Sequence, residues 1–416
     1  MDFRDSPEDA AFRQEVRDFL TGELAKGLGE ASGPASAAGD DRRRGGPSAS
    51  LRTGSDRYGV YRDWMKKLAA RGWIAPAWPR EYGGAGLTIM QQFIFNEEMA
   101  RARAPRPGGI GVGFAGPTII VYGSEEQKRE HLPGILSGDV VWCQGFSEPG
   151  AGSDLASLQT RAVHDGDDYI INGQKIWTSG AQFAQRMILL ARSDPDAPKH
   201  KGISYFLLDM KSPGVSVRPL YNMGGVPGFN EVFFENVRVP KKDLLGEENR
   251  GWYVATTTLD FERSSIGAAM AQRNQVEDLV LFVRERQDGR QRLHPTVALE
   301  LAERAIEAEA ARLLSYRVVT LQNQGLVPNH EASAAKLFSS ELSQRVAGTG
   351  VKVVGLYGLL DRDRKAGPEA ATNRHAPQGG RLMRAYLNAV SATIAGGTSE
   401  IQRGIIATRG LGLPRE

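Results

Sequence analysis

Ten consecutive residues, Gly145-Phe146-Ser147-Glu148-Pro149-Gly150-Ala151-Gly152-Ser153-Asp154, gather hydroxyls, small side chains and bare backbone amides in one place. That combination suits close approach to phosphates or to a planar heteroaromatic ring. A generic Gly-rich turn has the same composition, so the block does not decide alone. Other motifs point less far. Gly111-Val112-Gly113-Phe114-Ala115-Gly116 fits the dinucleotide pattern GxGxxG, but Pro107, Gly108 and Gly109 precede it where a strand is required, and Pro117 closes it. It reads as an irregular Gly-rich segment packed between helices. Ser333-Ala334-Ala335-Lys336 matches the SxxK of serine acyl enzymes without their companion motifs, and reads as a solvent or interface face of a helix. The six histidines include no pair at metal-binding helical spacing, and Cys143 is the only cysteine, which excludes a disulfide and a thiolate cage.

The elements that must position such residues change character along the 416-residue chain, long enough for two or three domains. Ser6, Pro7 and Asp9 start a helix with Phe12, Val16, Phe19, Leu20 and Leu24 at helical spacing. Residues 27–56, rich in Gly, Ser and Ala, read as a flexible loop. Helical pattern resumes at Tyr58, Tyr61, Trp64 and Leu68, ending at Arg71 and Gly72, and Thr88 and Ser124 are expected N-caps. From 141 the pattern is that of strands, with stretches at 187–191, 203–208, 215–220 and 231–239. Asp165-Gly166 and Asn172-Gly173 are expected turns around Tyr169–Ile171. After Gly251 long helical patterns return, at 252–287, 297–324 and 331–357. The predicted fold class is α+β: a helical domain over 1–140, a β domain over 141–246 and a helical domain over 247–416. Balanced charge, with 52 Lys and Arg against 49 Asp and Glu, argues against nucleic acid as partner. The charged start and the Gly- and Pro-broken run at 107–124 predict no signal peptide, no membrane span and a cytoplasmic protein.

Three further blocks accompany the first: Gly173-Gln174-Lys175-Ile176-Trp177-Thr178-Ser179-Gly180, Phe229 to Pro240, and Gly397-Thr398-Ser399-Glu400-Ile401-Gln402-Arg403. In this order and layout the chain resembles the acyl-CoA dehydrogenase family of flavoproteins over nearly its whole length, apart from 27–56 and an insertion near 361–380. The resemblance implies a helical N-terminal domain, a central β-barrel-like domain and a C-terminal four-helix bundle. It also implies a dimer or a dimer of dimers with FAD near the subunit interface. It puts Ser147 where a hydroxyl bonds the flavin ring, and Trp177 with Ser179 where an indole and a hydroxyl pack against it; mere core and a turn hydroxyl are the plain alternatives. Ser153 matches a residue reaching phosphate or pantetheine, Thr398 and Glu400 match FAD contacts, and Arg286 lies near an arginine that reaches the pyrophosphate. Arg286 sits in Arg286-Gln287-Asp288-Gly289, one residue short of the family's usual Arg-x-x-Phe-Gly and lacking its Phe.

The larger departure concerns the base. Many members place a glutamate directly before the Gly-Thr-Ser block, where this chain has Gly396. A minority carries it on the long helix after the β domain, before an arginine, and here Leu259-Asp260-Phe261-Glu262-Arg263 offers Glu262. Its neighbours at helical spacing, Thr258, Leu259, Ser265 and Ile266, provide no intrahelical ion pair. Asp260, Arg263 and Gly396 join Ser153 as substrate-contact candidates. The expected reaction is α,β-dehydrogenation of an acyl-CoA, or of an acyl group on a carrier protein. Electron-transfer flavoprotein is the expected acceptor, and a homodimer or homotetramer the expected assembly. A same-fold flavin oxidase or monooxygenase, and a non-catalytic partner subunit of a hetero-oligomer, are the alternatives. Small Ala395 and Gly396 suggest a bulky or branched acyl group.

Overall fold

The computed structural model describes residues 4–24, 63–225, 227–260, 266–286, 293–361 and 376–414, with Asp260 and Arg286 described in backbone only. The expected flexible loop at 27–56 and most of the insertion at 361–380 lie outside these residues, as do Glu262 and Arg263.

Capping chemistry sets the starts of the N-terminal helices. Helix α1 (Pro7–Glu23) begins where Ser6 Oγ accepts from the Asp9 amide at 3.1 Å. Thr88 and Ser124 each form a reciprocal capping box, with Gln91 and Gln127, at the heads of α2 (Ile89–Arg101) and α4 (Glu125–Ser137). The Gly-rich segment expected to be irregular is helical instead: one wide turn at Gly111–Ala115 runs into α3 (Gly116–Tyr122). With Pro117 in its first turn, where no intrahelical amide is needed, the helix loses nothing to the proline.

Seven strands follow: β1 (Trp142–Gly145), β2 (Arg161–Asp165), β3 (Asp168–Lys175), β4 (Arg186–Arg192), β5 (Ile203–Asp209), β6 (Val215–Leu220) and β7 (Phe229–Pro240). They form one curled sheet in the order β1-β4-β2-β3-β7-β6, with β5 also on β4. Strand β1 takes Arg186–Leu189 of β4 and β2 takes Arg192, so two strands share one edge and β5 holds the other. Strands β4 and β5 are apolar without alternation because both of their faces are covered. Ile188, Leu190, Tyr205 and Leu207 pack towards Ile119, Trp142 and Val254, while Met187, Leu189, Phe206 and Leu208 pack towards Tyr169, Val232 and Val237.

The expected turn at Asn172-Gly173 is not one: both residues lie inside β3, at a register shift against β7. Gly173 is there for close approach, since a Cβ would meet Thr160 Cα at 2.7 Å. The β2–β3 hairpin instead turns through Gly166 and Asp167, with Asp165 paired to Asp168.

The helical pattern expected over 252–287 is described as α5 (Gly251–Asp260) and α6 (Ile266–Arg286), and residues 261–265 and 287 lie outside the described residues. Helices α7 (Pro295–Asn323), α8 (His330–Val354) and α9 (Arg381–Ala389) complete a bundle with α6, cored by Val276, Leu279, Leu301, Ala308, Leu342 and Val346 with Leu382 packed against them. A last helix, α10 (Ser399–Ile405), lies on α8. The N-terminal and C-terminal helices are joined by charge as well as packing: Glu97 on α2 bonds Arg13 of α1 at 2.6 Å and Arg312 of α7 at 3.1 Å. No helix among the described residues is long and apolar enough to cross a membrane.

Candidate functional site

The loop after β1 is tied down at almost every residue. Glu148 and Ala151 exchange both backbone hydrogen bonds, at 2.9 and 3.0 Å, closing a turn over Pro149 and Gly150. Strand β3 arrives beside it, and the Ile176 amide donates to Ser147 O at 3.0 Å. Beneath the loop the Glu148 carboxylate accepts from the Gln159 amide at 2.6 Å, from the Thr160 amide at 2.9 Å and from Lys175 Nζ at 2.7 Å. Lys175 Nζ also donates to Phe146 O at 3.1 Å. The lysine is fully buried and the glutamate nearly so. Burial opposes the charge on both. It pushes the Lys175 ammonium down to about 8 against the pull of the carboxylate. In Glu148 burial is outweighed by the ammonium and the two amides, which hold the carboxyl below its usual range.

Two residues beyond Lys175, Trp177 has φ +61°, a left-handed conformation that costs a bulky residue roughly 1–2 kcal/mol. Its indole is 59% exposed and meets Phe229 edge-on at 5.9 Å. The strained peptide is held from β7: Thr178 N donates to Asn230 O at 3.0 Å, and Asn230 Nδ2 returns to Thr178 O at 2.9 Å and to Gln182 Oε1 at 2.6 Å. Asn230 Oδ1 and Thr178 Oγ1, both buried, have no hydrogen-bond partner among the described residues. Ser147 and Ser179 are half-buried on either side of Ile176 and Trp177. The first three sequence blocks are thus brought together. Ser153 is exposed on the far side of the turn, next to the Asp154–Lys199 ion pair at 2.9 Å.

The fourth block is built by the C-terminal helices. Gly396 and Gly397, at φ +67° and +85°, make a left-handed turn. Thr398 Oγ1 then caps α10 by accepting from Ile401 N at 3.2 Å. Lys336 on α8 donates to Gly397 O at 2.5 Å and Ala392 O at 3.4 Å, and Gln402 Nε2 donates to Gly396 O at 3.2 Å. Of the two faces expected for the Ser333-to-Lys336 motif, solvent or interface, it is not the solvent one: Ser333 is buried and Lys336 secures this turn. Glu400 is exposed, its carboxyl lowered by its own amide and by the Thr398 hydroxyl. Asp260 closes α5 and Arg286 closes α6. Two surface grooves, of about 680 and about 470 Å³, are lined by residues that include Tyr122, Gln127, Lys242 and Gly246 in the first and Glu148, Gly150 and Thr160 in the second, and neither includes Ser147 or Trp177.

Glu148, Lys175 and Asn230 went unread in the sequence although each sits in a quoted block. One signal was available: Lys175 follows Tyr169, Ile171 and Gly173 at period two, so it occupies an inward position that requires a buried carboxylate.

Three family models match in chain order: acyl-CoA dehydrogenase N-terminal domain over 49–139, middle domain over 143–237 and C-terminal domain over 249–411. Among curated relatives, the acyl-CoA dehydrogenase IpdE1 of Mycobacterium tuberculosis is 35% identical over 97% of this chain and 98% of its own. Acyl-CoA dehydrogenase FadE34 of the same organism is 39% identical over 84% of this chain, which spans 46% of that longer protein. The solved Tcur3481-Tcur3483 steroid ACAD superposes with a TM-score of 0.81 at 35% identity, covering both chains completely. The chain belongs to the acyl-CoA dehydrogenase family. Acyl-CoA dehydrogenases are FAD-dependent flavoproteins, and the protein is an oxidoreductase of that kind.

The residues fit the flavin on their own terms. An exposed indole fixed in a strained backbone, a half-buried hydroxyl and a loop with no atom within 4 Å of a Cβ placed on Gly150 or Gly152 are the chemical groups that a planar heteroaromatic ring requires, an apolar face beside a hydrogen-bonding group and open backbone.

Proposed function

We propose that the protein oxidises an acyl-CoA to its trans-2-enoyl-CoA, taking a proton from the α carbon and hydride from the β carbon. The observation that supports this most is the bond from Ile176 N to Ser147 O, which ties a hydroxyl and an exposed indole into one surface. FAD, when bound, supplies the hydride acceptor at N5. Ser147 and Ser179 orient the ring by hydrogen bonds, Trp177 covers it and excludes water, and Thr398, Glu400 and Arg286 bind the remainder of the cofactor. Glu262 takes the α proton, and Ser153, Asp260, Arg263 and Gly396 contact the thioester.

The substrate class follows from the steroid named for the solved relative and from the small Ala395 and Gly396: a CoA thioester with a bulky, polycyclic acyl group. Electron-transfer flavoprotein is the proposed acceptor. Ile394, Ile401, Leu411 and Leu413 of the C-terminal domain expose apolar surface, which supports an oligomer. A second reading, a partner subunit in a two-chain enzyme, is favoured by the left-handed Gly396 at the usual base position and by the paired name of the solved relative.

The test is anaerobic flavin bleaching by straight-chain, branched and steroid acyl-CoA thioesters. Bleaching by the steroid thioester, slowed roughly a hundredfold to ten-thousandfold in Glu262→Gln with FAD retained, is the expected result. Wild-type bleaching rates in that variant would remove Glu262 as base. A protein bleached only after a second polypeptide is added would select the partner-subunit reading, and fast reoxidation in air the oxidase.

A further inference from the structure

We infer that the buried Glu148–Lys175 pair is a positioning device, which sets the spacing between Ser147 and Trp177 and thereby the shape of the surface that receives the flavin ring. The inference rests on the assignment of those two residues to the flavin.

Every residue of the segment 146–148 is held through this pair or its neighbour. Phe146 O accepts from Lys175 Nζ, Ser147 O accepts from Ile176 N, and the Glu148 side chain accepts from Lys175 and from the amides of Gln159 and Thr160. Lys175 in turn stands two residues before Trp177. Lys175 is fully buried and Glu148 nearly so, which leaves the pair placed to act on the loop and on the end of β3.

An ion pair is a poor choice if stability alone is required, because a well-packed apolar pair of similar volume often does as well or better. What the carboxylate adds is directed capacity. Its two oxygens accept three hydrogen bonds from two separate segments, and the ammonium bridges to a third. An apolar pair would fill the space but leave the loop and the end of β3 joined by the Ile176 N–Ser147 O bond alone, with their spacing less closely fixed. Arg192 is the other cation acting on the pair. It bonds the carbonyls of Lys199, Ala156 and Leu158, and so closes the layer behind Glu148 without touching the loop.

The experiment compares wild-type holoprotein with Glu148→Gln, Lys175→Met and the double variant, measuring thermal midpoint, FAD dissociation constant and the shape of the visible flavin band. Each single variant is expected to lose both stability and FAD. The double variant, with no charge left unpaired, is expected to recover the thermal midpoint while binding FAD about tenfold or more weakly, with an altered flavin band. A double variant with the wild-type dissociation constant and band overturns the inference and leaves the pair purely structural. If the double variant does not fold, Lys175→Arg keeps the charge but changes the geometry. An altered band with little change in midpoint then supports the inference, and an unaltered band overturns it. Wild-type protein that takes up no FAD overturns both this inference and the functional reading beneath it, whereas FAD uptake with an indifferent double variant overturns this inference alone.

Discussion

The two regions that carry the candidate residues, here called the β half and the helical half, are secured by different physics. The β half, from Gly145 to Ser179, hangs on a buried ion pair, paired backbone bonds and the Asn230 clamp, all supplied by one sheet. The helical half, from Gly396 to Glu400, rests on part-buried bonds from Lys336 and Gln402 to two glycine carbonyls, and the residues around it expose Ile394, Ile401 and Leu411. The contacts that hold the β half all come from within the described chain. The helical half presents the kind of surface that a second chain would cover.

The comparison breaks most sharply at Lys175. Lys175→Met leaves the Glu148 carboxylate buried with two amides but no cation, and should cost about 3–5 kcal/mol of stability. Denaturant titration would measure it. A loss below about 1 kcal/mol would mean that water reaches the carboxylate and that the β half is no firmer than the other.

A second effect lies where α4 packs on the start of the sheet that carries the β half. His131 on α4 is buried edge-on against Trp142 at the start of β1, with rings 5.4 Å apart, and its Nε2 has no partner among the described residues. Burial lowers it from 6.5 to about 4, with Arg186 and Lys242 also lowering it and Glu130 opposing. The unfolded chain therefore binds a proton near pH 6.5 that the folded chain refuses until about pH 4. Stability from this group is complete above 6.5 and is lost as pH falls through that window, by about 3 kcal/mol at most. His131→Phe keeps an edge-on ring and should remove that part of the slope between pH 6.5 and 4. An unchanged slope would show that the histidine charges freely in the folded protein.

What was legible in the sequence follows the range of the forces involved. The caps at Ser6, Thr88 and Ser124 were readable because a cap is settled within four residues, and the strands of the sheet because β-rich stretches carry their own pattern. The turn expected at Asn172-Gly173 failed for the opposite reason. Gly173 answers to Thr160, thirteen residues away, and no local rule distinguishes a glycine that turns the chain from one that admits a neighbour. The ring-facing candidates could be named from their blocks, but the Glu148–Lys175 and Asn230–Thr178 contacts span 27 and 52 residues and were invisible to local reading.

In the helical half the effects should be smaller. Lys336→Met removes the donor to Gly397 O and Ala392 O and should cost about 1–2 kcal/mol, since the carbonyls it leaves are only part-buried and can take water. Hydrogen exchange should quicken around 392–402 while β1 and β3 stay protected. Equal quickening in both regions would mean that the halves are one cooperative unit and not two.

The smallest effect, and the sharpest test of the proposed base, is expected at Gly396. The family resemblance puts the usual glutamate at this position, so Gly396→Glu looks like a restoration. The backbone argues otherwise. At φ +67° a residue with a Cβ pays roughly 1–2 kcal/mol, and its side chain leaves the turn in a direction unlike that of a residue with negative φ. The carboxylate would arrive at the right number in the chain and the wrong place in space, where proton transfer needs a heavy-atom approach of about 2.6–3.2 Å. Gly396→Glu added to Glu262→Gln should therefore bleach as slowly as Glu262→Gln alone, with a modest loss of stability. Recovery towards the wild-type rate would show that the turn flips to accept a side chain. The turn would then be soft enough to hold a base at position 396, and the glycine there would reflect the substrate's bulk and not the backbone.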